Sequence, residues 1–319
     1  MVRAPSRAEL EAAHCWEADD RVPRDPAMTA FRRAVRYHQA QWREARGHPT
    51  GTQPIAPRAG DDRVRLVGSR MPLDYARATG ANFMTPASRR AATERTARVE
   101  PHQTFDHQRV WADLLSSQAL AFNLFGDLAA DHVRANDAVH TWWPDADGSV
   151  VDVRFAHSPG RLDSSYLANL RVFDTAFVLE SDDGARGVIA IDTKYHERAK
   201  PETPRPENVP RYIEVADRSR MFRPRAIDDL RRRSDLAEVW LEHLLLHSML
   251  QHPNAGWSWG RYVVIYPTGN THIADACVRY ATLLSDRSTF NTATVEELLD
   301  ARALRRSTQA ALRSRYLPA

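Results

Sequence analysis

RVFDTAFVLE (Arg171–Glu180) and GVIAIDTKYHE (Gly187–Glu197) flank the spacer SDDGAR (Ser181–Arg186). Both runs are rich in β-branched and aromatic residues and bounded by Asp and Gly, which reads as two strands joined by a turn. A hairpin centred on Asp183 puts Asp174 directly opposite Asp192. Facing residues of an antiparallel pair have Cβ atoms ~4.5–5.5 Å apart. Two carboxylates that close repel strongly unless a cation lies between them or one is protonated. Side chains alternate along a strand, so Asp192 and Lys194 share a face. Ile189, Ile191 and Thr193 point the other way, toward a core.

Outward from the hairpin, Val110, Trp111, Leu114, Leu115, Leu120, Phe122, Leu124, Phe125 and Leu128 give His107–Ala130 a helical period. Val150–His157 alternates like a strand. Asp235–Gln251 and His272–Ser285 read as helices on either side of a short buried strand, Arg261–Tyr266. Thr289–Thr294 reads as an edge strand before a helix at Val295–Leu304. The order αβββαβ predicts an α/β fold with a mixed sheet flanked by helices. Residues 1–106 differ in composition, with 18 arginines against 13 acids. They read as an arginine- and proline-rich N-terminal extension. It holds one helix at Thr29–Arg46 and a loop at Pro49–Asp62, and a core follows over residues 107–319.

Of 44 basic residues only Lys194 and Lys200 are lysines. In a chain that uses arginine wherever charge suffices, a retained lysine signals a need for an ammonium. The net charge of +3 permits nucleic-acid binding without demanding it. Cys15 and Cys277 form no CxxC or Cys/His cluster, which argues against a zinc site or disulfide framework and fits a reducing cytoplasm. Met1–Ala13 has no apolar signal-peptide region, and no apolar run suggests a membrane span.

Two opposed acids and a lysine on one sheet patch suit metal-assisted phosphodiester hydrolysis. Carboxylate oxygens and a backbone carbonyl, that of Thr193, suit Mg²⁺, with Mn²⁺ as a substitute. Lys194 could orient or deprotonate a water, or stabilise charge on the phosphate. Asp-Thr-Lys by itself also fits a structural ion pair at a strand end.

The pattern Asp174 … Asp192-Thr193-Lys194 on consecutive strands after a helix resembles the PD-(D/E)XK nuclease superfamily. Within it, the chain is similar to a bacterial restriction-endonuclease-like family through SSQALAFNLFG (Ser116–Gly126), HSPGRLD (His157–Asp163), DTKYHE (Asp192–Glu197), RYIEVA (Arg211–Ala216) and YPTGN (Tyr266–Asn270). The resemblance implies metal-dependent cleavage of nucleic acid. The first expectation is double-stranded DNA, in restriction or phage defence; RNA stays open, since the chemistry acts on the phosphodiester that both polymers share. Asp174 then stands at the first acid, with Phe173 in place of proline; Asp192 and Lys194 complete the motif. Many members add an acid on the first core helix. Here Gln118 lies in that region, either holding a metal-bound water or acting as a buried amide bonded to a loop. That departure leaves a second class of function open, a nucleic-acid-binding or interaction subunit without catalysis.

Glu197 could turn toward the metal or mark a solvated strand end. Asp163 and Arg161 could serve as a supporting acid and a phosphate contact, or as a loop ion pair. Arg211 and the cluster Arg218, Arg220, Arg223, Arg225, Arg231, Arg232 and Arg233 suit phosphate contacts, or a solvated face. Trp257 and Trp259 could stack on bases, though packing on a sheet edge fits better. Trp142 and Trp143 read as core aromatics. Cutting both strands of a duplex usually takes two sites, which a homodimer would supply; that argument comes from chemistry, not from residues.

Overall fold

The computed structural model describes residues 4–55, 63–232 and 234–318. Along them run α1 (Arg7–Ala12), α2 (Pro26–Ala45), β1 (Gly51–Pro54), β2 (Val64–Val67), α3 (Leu73–Thr79), α4 (Pro86–Ala97), α5 (Ser117–Ala129), α6 (His132–Trp142), β3 (Ser149–His157), β4 (Phe173–Glu180), β5 (Arg186–Thr193), α7 (Val209–Ser219), α8 (Ala226–Leu230), α9 (Ala237–Leu250), β6 (Trp257–Tyr266), α10 (Thr271–Thr282), β7 (Phe290–Thr294), α11 (Val295–Asp300) and α12 (Arg306–Tyr316).

One five-stranded sheet, ordered β3-β4-β5-β6-β7, organises the chain. β3, β4 and β5 are antiparallel neighbours, whereas β5, β6 and β7 run parallel. Parallel neighbours need a long crossover; α7–α9 supply the first and α10 the second. The result is the mixed α/β, restriction-endonuclease-like sheet flanked by helices, with β7 as the expected edge strand. Pairs from Thr175↔Ile191 to Glu180↔Arg186 reproduce the hairpin register read from the sequence.

Alternation along the central strands feeds two cores. Phe177, Leu179, Ile189, Ile191, Val263 and Ile265 pack with Leu120, Leu124 and Leu128 of α5. Ala176, Val188, Ala190, Tyr262 and Val264 pack with Trp240, Leu241 and Leu245 of α9. A sheet covered on both faces has central strands that read as continuous apolar runs, and β5 does. The N-terminal third shares the first core through Val35, Trp42, Ala76, Phe83 and Ala92. Gly126 allows α4 to cross α5 closely, since a Cβ there would lie 2.5 Å from Ser88 Cα.

Several expectations shift. The single helix over His107–Ala130 is two pieces. A π turn at Gln108–Ala112 ends before Ser116, whose Oγ accepts from Ala119 N–H and starts α5. Asp113 accepts from Leu115 N–H at 3.0 Å, and such local bonds compete with a continuing helix. Within the loop expected at Pro49–Asp62, Gly51–Pro54 pairs with β2; residues 56–62 lie outside the described ones. Trp257 and Trp259 lie within β6, which starts before the expected Arg261. Arg186 covers the Trp257 ring at 4.6 Å, and Gly187 makes room for Trp259. Trp142 and Trp143 sit with the first core. Both cysteines are free and buried. Among the described residues no helix is long and apolar enough to cross a membrane.

Candidate active site

Asp174 is the second residue of β4, and Asp192 the last but one of β5, so the hairpin register brings them to one end of the sheet. Thr193 ties the strands together there. Its N–H donates to Asp174 Oδ2 at 2.9 Å, and its hydroxyl lies 2.6 Å from the same oxygen and 3.0 Å from the Ser117 carbonyl of α5. A hydroxyl has one proton for these two oxygens; a proton on the Asp174 carboxyl would satisfy both. Burial, and next the Asp192 charge, push the Asp174 carboxyl up to about 7.

Asp192 and Lys194 turn toward α9, on the face opposite Thr193. Lys194 Nζ lies 2.7 Å from Asp192 Oδ2 and 2.8 Å from Glu238 Oε1. Burial works against the ammonium's charge, but Asp192, Glu238 and Glu242 outweigh it and hold Lys194 well above its ordinary value. The acids around Lys194 thus favour its charged form. Burial and Glu242 raise the Asp192 carboxyl well above its usual range. Glu242 Oε2 accepts from the Tyr262 hydroxyl at 2.7 Å, and Glu242 Oε1 is 3.6 Å from the Arg171 guanidinium, which also pairs with Glu202.

Glu238, Glu242 and Arg171 escaped the sequence reading. A signal existed for the glutamates. They are four apart in AEVWLEHLLLHSML, hence on one face of an otherwise almost wholly buried helix, and acids are seldom buried without partners. Arg109 was also missed, and nothing marks it among so many arginines. It sits on the π turn, half-exposed, with Nη2 3.0 Å from Ser117 Oγ and 3.1 Å from Glu197 Oε1. Asp174 is among the acids that help hold its charge against burial.

The remaining candidates divide. Gln118 sits in the first turn of α5, beside Ser117, and its Oε1 is buried without a hydrogen-bond partner. Glu197 neither points into solvent nor reaches Asp192. Its Oε2 accepts from the Tyr195 and His196 N–H groups, and Oε1 pairs with Arg109. Asp163 caps its own loop by accepting from Ser165 N–H and Oγ–H. Arg161 is buried against Glu100 and the Ala156 carbonyl. Arg211 donates to the Tyr166 and Ser165 carbonyls.

The arginine cluster lies away from the carboxylates. Arg223 donates to the Leu284 carbonyl, and Ser285 Oγ–H to that of Arg220, at the C-terminal end of α10. The other end of α10 carries its cap, Asn270, whose Nδ2 donates to the Tyr195 and Glu197 carbonyls beside the site. Twelve helical residues separate the two ends, about 18 Å at 1.5 Å per residue. Neighbourhood in sequence did not become neighbourhood in space. Arg218, Arg220 and Arg225 are exposed, and Arg233 lies outside the described residues.

The donor set suits a hard divalent cation. All candidate atoms are oxygens, the carboxylates outnumber the ammonium they surround, and the Gln118 acceptor is unsatisfied. Among the described residues no group of three or more His, Cys, Asp or Glu is arranged to hold a metal ion. Asp174 and Asp192 would be the acid ligands, supplemented by backbone and amide oxygens and by water.

A family model described as the PD-(D/E)XK nuclease superfamily matches residues 23–318. No curated protein and no solved structure matches the chain. The match takes in the five-stranded sheet and the helices from α2 to α12. The match covers nearly the whole chain and agrees with the fold, and the chain belongs to the PD-(D/E)XK nuclease superfamily.

Proposed function

We propose that the protein is a Mg²⁺-dependent endonuclease, able to use Mn²⁺, that hydrolyses DNA phosphodiester bonds in restriction or phage defence. One observation carries this reading: two buried aspartates stand where β4 starts and β5 ends, near enough for the charge of one to act on the other, with a lysine ammonium 2.7 Å from the second. Bound there, the metal would polarise the scissile phosphate and lower the pKa of a coordinated water. Asp174, Asp192 and the Thr193 carbonyl would hold it. Lys194, as a cation, would offset the negative charge that grows on the phosphate. Arg109, half-exposed on the Asp174 side, would grip a phosphate oxygen. Arg218, Arg220 and Arg225 would contact flanking backbone rather than the reacting group. Cutting both strands would engage two copies.

The test is plasmid nicking or cutting with Mg²⁺ or Mn²⁺. Asp174→Ala, Asp192→Ala and Lys194→Ala should each abolish it, and undiminished cutting by Asp192→Ala would sink the assignment. A second reading, an inactive nucleic-acid-binding subunit, is favoured by the ammonium that already neutralises Asp192. Calorimetric titration with Mn²⁺ separates the two: DNA affinity without metal binding would support the second.

A further inference from the structure

Lys194 stands between two carboxylates, not beside one. Asp192 comes from β5, and Glu238 from the first turn of α9. Both form ion pairs with Nζ, at 2.7 and 2.8 Å, and Glu238 also accepts a hydrogen bond from it. Glu242, one turn along α9, accepts from the Tyr262 hydroxyl, faces Arg171 and shares a hydrogen bond with Asp192, so it reaches the ammonium only through its charge. A divalent ion on Asp192 would compete with the ammonium for the same carboxylate, and charges ~4 Å apart repel strongly at the dielectric of a protein surface. Of the two acids in direct contact with the ammonium, only Glu238 would then remain.

We propose that Glu238 is a second station for Lys194, a positioning residue that keeps the ammonium beside the reacting phosphate when a metal takes Asp192. This rests on the metal-dependent reading above. It assigns α9, not α5, as the helix whose acid serves the site. That acid acts through the lysine, not on the metal.

The lysine content makes a direct test available. Only Lys194 and Lys200 are present, and Lys200 is exposed. Lysine labelled with ¹³C at Cε should therefore give two resonances in the full chain. In the wild type, saturating Mg²⁺ should shift the Lys194 signal yet leave it well separated from that of Lys200. In Glu238→Gln, Mg²⁺ should move it onto the Lys200 position, as for a mobile, solvated ammonium. A Lys194 signal that behaves alike in both proteins overturns the proposal.

Mn²⁺ titrations give a second readout. Glu238→Gln should bind Mn²⁺ about tenfold more weakly than wild type, and Lys194→Met more tightly. With both changes, the penalty from Glu238→Gln should fall to about threefold or less. An equal penalty in both backgrounds would mean that Glu238 acts on the metal directly, and the proposal fails while the nuclease reading stands. No Mn²⁺ binding by wild type would remove both. Glu238→Asp, which keeps the charge, should restore the separated Lys194 signal.

Discussion

Asp174→Asn should reshape the pH dependence of stability. Burial and the opposed Asp192 hold the Asp174 carboxyl at about 7, against an ordinary value of 3.8. Each unit corresponds to about 1.4 kcal/mol, so the shift of roughly three units is worth about 4 kcal/mol at most, since Asp174 is partly open to solvent. Stability changes with pH in proportion to the protons bound by the unfolded state minus those bound by the folded one. Between about pH 4 and 7 the folded chain keeps the Asp174 proton and the unfolded chain has lost it. The wild type therefore loses stability as pH rises through that window, and the contribution levels off above it. Asn does not titrate, and its carbonyl can still accept from Thr193. Urea unfolding of metal-free protein from pH 4.5 to 8 should show Asp174→Asn gaining on wild type by about 3–4 kcal/mol across the range. A difference that stays constant with pH, or that grows toward acid, would refute the buried-acid argument.

Four further outcomes follow from the same geometry. Mg²⁺ should stabilise the wild type most above pH 7, where Asp174 is ionised, and barely affect Asp174→Asn; thermal unfolding with and without chelator reads this. Lys194→Arg should lose most of any nicking activity, because a planar guanidinium fits poorly between Asp192 and Glu238; cutting at the wild-type rate would count against a shaped ammonium site. Arg109→Ala should weaken DNA binding and reduce its salt slope by about 1, with Mn²⁺ affinity held or raised. Gly126→Ala should cost about 1–3 kcal/mol in urea unfolding, since the new Cβ would meet the α4 backbone.

How far the sequence reads depends on how local each signal is. The β4–β5 hairpin was legible because its turn and two apolar runs are contiguous, and the register followed from the turn centre. The five strands were legible for similar reasons, although β6 begins four residues early at Trp257 because strand pairing there rests on Arg186 and Gly187. Helices α3 and α4 were not assigned, and α4 has only three buried residues to give it a period. Its place is set by Gly126 on a helix far along the chain.

The site divides in the same way. That Asp174, Asp192 and Lys194 come to one end of the sheet followed from the sequence, because hairpin pairing is short-range geometry; that Asp174 bonds Thr193, and not the face that holds Lys194, did not. The ring of groups around them was decided only by tertiary structure. Glu238 and Glu242 arrive on a helix that crosses the sheet after a connection of more than forty residues, and Arg109 arrives on a π turn before α5. The same packing carried the arginine cluster to the far end of α10, despite its position in the chain between the hairpin and α9. A sequence records which residues can pair along a strand. Which distant charges share a buried volume is settled only when the helices cover the sheet, and here that covering fixes Lys194 between two acids.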